Sequence, residues 1–216
     1  WWNDLWLNES FATYMSYLCM DNATRFKTGW EDFASSIKNW AYRQDQLVTT
    51  HPIAGPVEDT DQTFLNFDGI TYGKGASVLK QLVAAIGMDG FGEGMRHYFR
   101  THAYGNATLA QFLESLEKGS GVDLKEWARL WLETPSLNTI GARWEADGDR
   151  ITSFVLTQAA PDDYPTIRPH TLEVGLVRDL DGKLEVTVLP AAIREAETDL
   201  PAARGLPAPS LVFPNY

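Results

Sequence analysis

Two side chains in apolar segments with helical spacing are the first candidates for chemistry. Glu9 stands in residues 5–20, which are otherwise mostly apolar or aromatic. A carboxylate on a buried helix needs a cation or a hydrogen-bond donor, although most acidic residues on helices face water. Tyr72 is followed at four- and three-residue steps by Ala76 and Leu79, which places it on one helical stripe. From spacing alone, Glu9 could lie at a solvated edge and Tyr72 could be a packing aromatic.

The four histidines do not form a metal-binding motif among themselves, because none of them begins an H-E-x-x-H sequence. They are His51, His97, His102 and His170. His97 and His102 are five positions apart, whereas ligands on one helical face are three or four positions apart. We therefore expect surface or core roles for all four, and we expect His102 to end a helix.

The segment around Glu9 resembles a known zinc-binding helix. Its sequence, Trp6-Leu7-Asn8-Glu9-Ser10-Phe11-Ala12, is similar to that of the aminopeptidase N family, whose gluzincin catalytic domain is thermolysin-like. In that family an H-E-x-x-H helix supplies two histidine ligands, and a glutamate after eighteen intervening residues supplies the third. The resemblance implies that Glu9 is this third zinc ligand. It also implies an internal fragment, because the two histidines and the general-base glutamate would precede Trp1.

A second stretch, residues 67–79, resembles the Y-x-K-G-A segment of the same family. The resemblance implies that Tyr72 is the catalytic tyrosine, whose hydroxyl stabilises the oxyanion of the tetrahedral intermediate. A position in the first turn of a helix, where aligned N–H groups favour negative charge, suits that role. Lys74 and Gly75 match the segment too, and we interpret them as packing or supporting residues.

Two shorter stretches extend the resemblance. Thr50-His51-Pro52-Ile53 is similar to a loop between the zinc helix and the tyrosine helix, and Arg168-Pro169-His170 is similar to bacterial members. The family implies a parent protein that uses zinc to hydrolyse N-terminal residues from peptide substrates. For the chain alone we expect no peptidase activity and no tightly bound zinc, because one carboxylate is one ligand where a zinc site needs at least three.

Two alternative functions stay open. The chain could be a non-catalytic helical plus β-sandwich module that mediates protein contacts, since a fold can persist without chemistry. A hydrolase acting on a lipid epoxide shares the same zinc elements and is a third possibility. An upstream H-E-x-x-H motif at the stated distance would favour the peptidase, and its absence would favour the module. We also expect the helices at 5–20 and 69–86 to have exposed apolar faces, which would cause either self-association or a rearrangement of the helical portion.

The elements that must position these residues change character near Pro135. Seven of the eight tryptophans and only two of the 11 prolines precede residue 134. Apolar spacing predicts helices over 5–20, 29–46 and 69–86, and capping boxes are predicted at Thr28–Glu31, Thr108–Gln111 and Asp123–Glu126. Residues 48–67 have no clear period and predict a long ordered loop, a kind of segment that is usually functional.

The later part of the chain alternates as β-strands do. Leu172, Val174 and Leu176 predict one buried strand face, and a second face is predicted at 184, 186 and 188, with a hairpin turn at Asp181-Gly182. We expect a fold that is α then β. The resemblance implies that residues 1–140 are the mainly helical C-terminal part of a thermolysin-like metallopeptidase domain, and the alternation predicts a small antiparallel β-sandwich domain over 141–216.

Composition excludes several other classes of protein. The 216 residues carry 18 basic and 29 acidic side chains, a formal net charge of −11. This acidity argues against nucleic acid as a partner, because phosphates are bound by clustered Lys and Arg. No apolar run approaches the ~20 residues of a membrane span. The single cysteine, Cys19, cannot form an internal disulfide, which favours a reducing, cytoplasmic location.

Overall fold

The computed structural model describes residues 2–216, which form two compact units. The first unit ends at Leu137, and the second runs from Asn138 to Tyr216. The first is helical and the second is built of antiparallel strands, so the predicted order of α followed by β is confirmed. Within the described residues, no helix is both long enough and apolar enough to cross a membrane.

The first unit contains α-helices interrupted twice by π-helical turns. The α-helices are α1 (Leu5–Ala23), α2 (Gly29–Asp32), α3 (Asn39–Asp45), α4 (Thr60–Leu65), α5 (Gly75–Ile86), α6 (Met88–Thr101), α7 (Leu109–Ser120) and α8 (Lys125–Leu132). The first π-helical turn, Phe33–Lys38, joins α2 to α3, and the second, Ile70–Lys74, leads into α5. The helices predicted over 5–20, 29–46 and 69–86 are therefore present, and the π-helical turns within two of them are a finding of the structure.

One predicted capping box is confirmed and two are wrong. At α7, Thr108 and Gln111 each bond to the other's backbone N–H, and Gly121 ends the helix in the left-handed conformation. At α2, the Thr28 side chain makes no cap, because Thr28 stays close to helical backbone geometry rather than extended. At α8, the Asp123 side chain accepts from the Lys125 N–H. The Glu126 side chain, however, pairs with Arg129 in the next turn instead of accepting from a backbone N–H at the start of the helix.

The long loop predicted over 48–67 is only partly a loop, because it contains α4. The Asp59 carboxylate accepts from the Gln62 N–H and begins that helix. The short helix carries no full apolar stripe, and its Phe64 and Leu65 side chains are 74% and 78% exposed. The remaining loop is fixed by backbone bonds such as the one from the Ala54 N–H to the Leu132 carbonyl.

The core of the first unit lies between α1, α5 and the α6–α7 hairpin. These helices contribute buried aromatic and aliphatic side chains to it: Trp6, Tyr14, Leu79, Leu82, Phe91, Phe112 and Leu116. Among the described residues, the exposed large apolar side chains lie outside 5–20 and 69–86. The exposed apolar faces predicted for these two helices are therefore not found, because their large apolar side chains are buried in this shared core or half-buried against it.

The second unit has two antiparallel sheets packed face to face. Its strands are β1 (Thr139–Asp147), β2 (Arg150–Ala159), β3 (His170–Leu180), β4 (Lys183–Ile193), β5 (Glu197–Asp199) and β6 (Leu211–Phe213). The sheet orders are β1-β2-β5 and β4-β3-β6. Phe154 and Leu156 of the first sheet share one core with Leu172, Val174 and Leu176 of the second.

The hairpin between β3 and β4 confirms its turn and corrects its buried face. Asp181 and Gly182 both have positive φ, at 54° and 87°, as a two-residue hairpin turn requires. This turn pairs Leu180 with Lys183, which sets the even-numbered residues of β4 opposite the odd-numbered residues of β3. The predicted face at 184, 186 and 188 is therefore solvent-facing, with exposed fractions of 67%, 40% and 40%. The buried side of β4 carries Ala191 and Ile193.

Candidate functional site

Glu9 and Tyr72 lie side by side in the first unit. Glu9 is half-buried on α1, and Tyr72 is half-buried in the second π-helical turn. The Tyr72 hydroxyl lies within hydrogen-bonding reach of the Glu9 carboxylate, with the phenol as the donor. Partial burial, followed by this hydrogen bond and the nearby negative charge, raises the pKa of Tyr72. The phenol therefore stays protonated at neutral pH and can act as a donor.

The two side chains meet because the two segments that carry them pack closely at adjacent residues, Ser10 after Glu9 and Thr71 before Tyr72. The buried Ser10 hydroxyl donates to the Thr71 carbonyl, which joins α1 to the π-helical turn. A Cβ atom at Gly75 would overlap the Ser10 hydroxyl, so only glycine permits this approach. Gly75 is thus the packing residue that the sequence analysis predicted.

The π-helical turn directs Tyr72 out of the core. Ile70, Thr71, Gly73 and Lys74 are all buried, whereas Tyr72 is not. The wider turn breaks the four- and three-residue stripe on which a regular helix would have placed the ring among core residues. Tyr72 is therefore not one of the buried core residues, which simple spacing had allowed.

Two aromatic rings flank the Tyr72 ring. The Trp40 ring stacks on it at a centroid distance of 6.3 Å and an interplanar angle of 26°. The Phe67 ring is tilted by 44° to the Tyr72 ring at a centroid distance of 6.3 Å. The Phe64 ring stacks on the Phe67 ring at a centroid distance of 6.2 Å. Trp40, Phe64 and Phe67 are each exposed. These contacts limit the movement of the phenol and leave an apolar aromatic surface beside it.

Asp68 caps the π-helical turn and contacts His51. One carboxylate oxygen accepts from the N–H groups of Ile70 and Thr71, at 2.9 and 3.0 Å. The other is 3.0 Å from Nε2 of His51. His51 also lines a cavity of about 220 Å³, which lies between the start of α1 and the loop that begins at His51.

Lys74 is buried in an ion pair with Asp45, a residue that the sequence analysis did not identify. Its Nζ atom is 2.9 and 3.0 Å from the two Asp45 carboxylate oxygens and 2.9 Å from the Ser136 carbonyl. Asp45 also accepts from the Ser136 N–H and the Thr50 hydroxyl. The pair ties the end of α3 to the tyrosine segment, which gives Lys74 the supporting role predicted for it. The resemblance at Lys74 does not indicate that Asp45 is its partner, because the residues that contact Asp45 are distant from it in the sequence.

Glu9 has the chemistry of one zinc ligand, since it is a partly exposed carboxylate beside the Tyr72 hydroxyl. In residues 2–216, however, no group of three His, Cys, Asp or Glu side chains could hold a metal ion. The other histidines have separate partners. His97 bonds to Ser115 and His170 to Gln158, and His102 caps the end of α6. Glu9 therefore fits zinc only as one member of a larger ligand set.

Comparison with known proteins matches residues 1–131 to the peptidase family M1 domain. The chain is 50% identical over 191 residues to aminopeptidase N of Streptomyces lividans, which covers 84% of this chain and 22% of that protein. It is 39% identical over 151 residues to tricorn protease-interacting factor F2 of Thermoplasma volcanium, 70% of this chain and 19% of that protein. It is 34% identical over 189 residues to leucyl aminopeptidase of Saccharolobus solfataricus, 88% and 23% respectively. The chain thus spans about a fifth of the length of these relatives.

Proposed function

Because the chain belongs to peptidase family M1, the aminopeptidase N family, we propose that it is part of a zinc aminopeptidase that releases N-terminal residues from peptides. In this proposal the first unit is the helical part of a thermolysin-like catalytic domain. Glu9 is one zinc ligand, and two histidines of an H-E-x-x-H helix elsewhere in the whole protein are the others. Tyr72 is the donor to the oxyanion.

The observation that carries this proposal is the proximity of the Glu9 carboxylate to the Tyr72 hydroxyl, which is close enough to raise the pKa of the phenol. The two residues belong to two motifs far apart in the sequence, and the fold brings their functional groups within reach of each other. A metal ligand and an oxyanion donor must lie this close, because both act on one scissile carbonyl. Had Glu9 extended into bulk solvent away from the phenol, the proposal would have had no structural support.

The chain's own residues have distinct parts in this reaction. Zinc, when bound, polarises the scissile carbonyl and lowers the pKa of a coordinated water. Glu9 provides one anionic oxygen ligand and is held in orientation by the phenol. Tyr72 keeps its proton at neutral pH, since its pKa is raised, and it can therefore turn its O–H from the carboxylate to an oxyanion.

For the chain by itself we propose no peptidase activity. A catalytic zinc site needs three protein ligands, and Glu9 is one. A zinc titration of the chain should give no stoichiometric site with a Kd below ~1 μM. A site of that affinity would show that the role assigned to Glu9 is wrong.

The proposal is tested on the whole protein with two variants and a control. In Tyr72→Phe the ring keeps its contacts with Trp40 and Phe67 and loses only its donor, so kcat on aminoacyl p-nitroanilides should fall by ~10²–10³ at unchanged zinc content. Glu9→Gln should lower zinc content as well as activity. Tyr104→Phe removes a hydroxyl from a fully exposed ring and should change neither. Wild-type turnover by Tyr72→Phe, or full zinc content in Glu9→Gln, would refute the assignment.

The upstream coding sequence separates this function from the non-catalytic module. An H-E-x-x-H motif whose second histidine precedes Glu9 by eighteen intervening residues is expected. Its absence, together with a whole protein that binds no zinc, would favour the interaction module.

A further inference from the structure

We propose that His51 is a positioning residue for Tyr72. In its doubly protonated form, His51 clamps the loop at Pro52 to Asp68, the residue that caps the π-helical turn carrying Tyr72. This inference rests on the function proposed above for Tyr72. It concerns a residue that was expected to have only a surface or core role, and it assigns His51 an indirect part in the reaction.

Both ring nitrogens of His51 face atoms that only accept hydrogen bonds. Nδ1 is 2.7 Å from the Pro52 carbonyl oxygen, and Nε2 is 3.0 Å from a carboxylate oxygen of Asp68. A neutral imidazole has one N–H and can satisfy one of these acceptors, whereas the imidazolium satisfies both. Both short contacts can therefore be hydrogen bonds at the same time only when the ring is the cation.

The clamp is partly shielded from water. The side chains of His51 and Asp68 are 28% and 16% exposed. A charged pair in such a position is screened less than a pair on the open surface. The contact therefore restricts the orientation of the Asp68 carboxylate.

Asp68 transmits this restriction to Tyr72 through the backbone. Its second carboxylate oxygen accepts from the Ile70 and Thr71 N–H groups, and its carbonyl accepts from the Tyr72 N–H at 3.0 Å. These are the first N–H groups of the segment, which have no partner within the helix itself. A rotated Asp68 carboxylate would release two of them, and the first turn, which carries the phenol, would lose its fixed position.

The charges that face His51 favour the cation overall. The hydrogen bond that His51 donates to Asp68 has the largest effect on the His51 pKa and raises it; burial lowers the pKa, and the hydrogen bond to the Pro52 carbonyl and the Asp68 charge raise it further. Lys74 opposes it from the same segment. The net result is a raised pKa for His51. Above that pKa the ring loses one proton, and one of its two contacts must break.

The first experiment reads the clamp directly and needs no activity. In the chain labelled with ¹⁵N at histidine, the His51 ring nitrogens should both show protonated shifts, and its pKa should lie above the ordinary 6.5. Asp68→Asn should lower that pKa, whereas His102→Gln should leave it unchanged. A His51 ring that carries a single proton at pH 6, or a pKa unaffected by Asp68→Asn, would overturn the proposal.

The second experiment measures the kinetic role in the whole protein. His51→Gln keeps one donor to Asp68 and should lower kcat about tenfold with little change in KM, because a small displacement of a catalytic group costs turnover rather than binding. The alkaline limb of the wild-type kcat profile should follow the His51 pKa measured by NMR and move to lower pH in Asp68→Asn. His102→Gln should retain wild-type kinetics.

The two experiments separate failure of the inference from failure of the proposed function. If the wild-type protein hydrolyses no peptide, the proposed function fails, and the ring protonation still decides whether the clamp exists. If the wild-type protein is active and His51→Gln retains its full kcat, or loses stability alone, His51 has no positioning role.

Discussion

Neutralising Asp45 is the perturbation with the largest consequence expected for the first unit. Asp45 is 3% exposed and accepts from three groups: the Lys74 ammonium, the Ser136 N–H and the Thr50 hydroxyl. In Asp45→Asn the shape of the side chain is kept, but its charge is lost and an amide N–H₂ can face the ammonium. Lys74, itself 9% exposed, then remains buried without its counter-ion.

The magnitude follows from the cost of leaving a buried charge without a compensating one. Breaking one side of a buried ion pair typically costs about 3–5 kcal/mol, and Asp45→Asn should lie in this range. Domains are stable by about 5–15 kcal/mol, so this loss is a large part of the total. The double variant Asp45→Asn/Lys74→Met removes both charges and should cost clearly less than the two single changes added together.

Urea unfolding followed by tryptophan fluorescence is a suitable assay, because seven of the eight tryptophans precede residue 134 and report mainly on the first unit. The control is Glu197→Gln, which breaks an exposed pair with Arg143 in the second unit and should leave this transition unchanged. A single variant that unfolds at the wild-type midpoint, or a double variant whose cost equals the sum, would show that the pair carries no coupling.

Two further predictions concern other parts of the chain. Burial, together with the Arg168 charge, lowers the pKa of His170 to about 4. As pH falls, the unfolded chain therefore binds a proton at this histidine before the folded unit does. The free energy of unfolding of the second unit should decrease by up to about 3 kcal/mol between pH 6.5 and pH 4. NMR of the Trp144 indole during urea unfolding measures this loss, which His170→Gln should abolish. The exposed Phe64 and Leu65 side chains should drive self-association of the chain. Light scattering should show more monomer in Phe64→Ser/Leu65→Ser, and a wild-type chain that is monomeric at all concentrations contradicts this.

Local signals were sufficient to predict several elements. The Thr108–Gln111 box begins α7 as expected, because both of its hydrogen bonds are formed within four residues. The Asp181-Gly182 turn likewise forms, since positive φ at both positions is a local property of these two residues. Features determined within one turn of the chain can be predicted from the residues of that turn.

Features that depend on partners distant in sequence could not be predicted in this way. The alternation at 184, 186 and 188 indicates one apolar face, but the register with β3 decides whether that face is inside or outside. The role of Asp45 depends on Lys74 and Ser136, which lie far along the chain. Similarly, the π-helical turn at Ile70–Lys74 accompanies close packing, because a Cβ at Gly73 would lie 2.6 Å from the Ile37 carbonyl oxygen.

The separation of Glu9 and Tyr72 is determined by their neighbours more than by their own contact. A single half-exposed hydrogen bond contributes only about 0.5–1.5 kcal/mol, or somewhat more when one partner is charged. The buried bond from Ser10 to Thr71 and the close approach at Gly75 would persist if the phenol turned away from the carboxylate. Tyr72 can therefore exchange Glu9 for another acceptor without moving its backbone. A donor that is fixed in position but free to change partner is what stabilisation of a transient oxyanion requires.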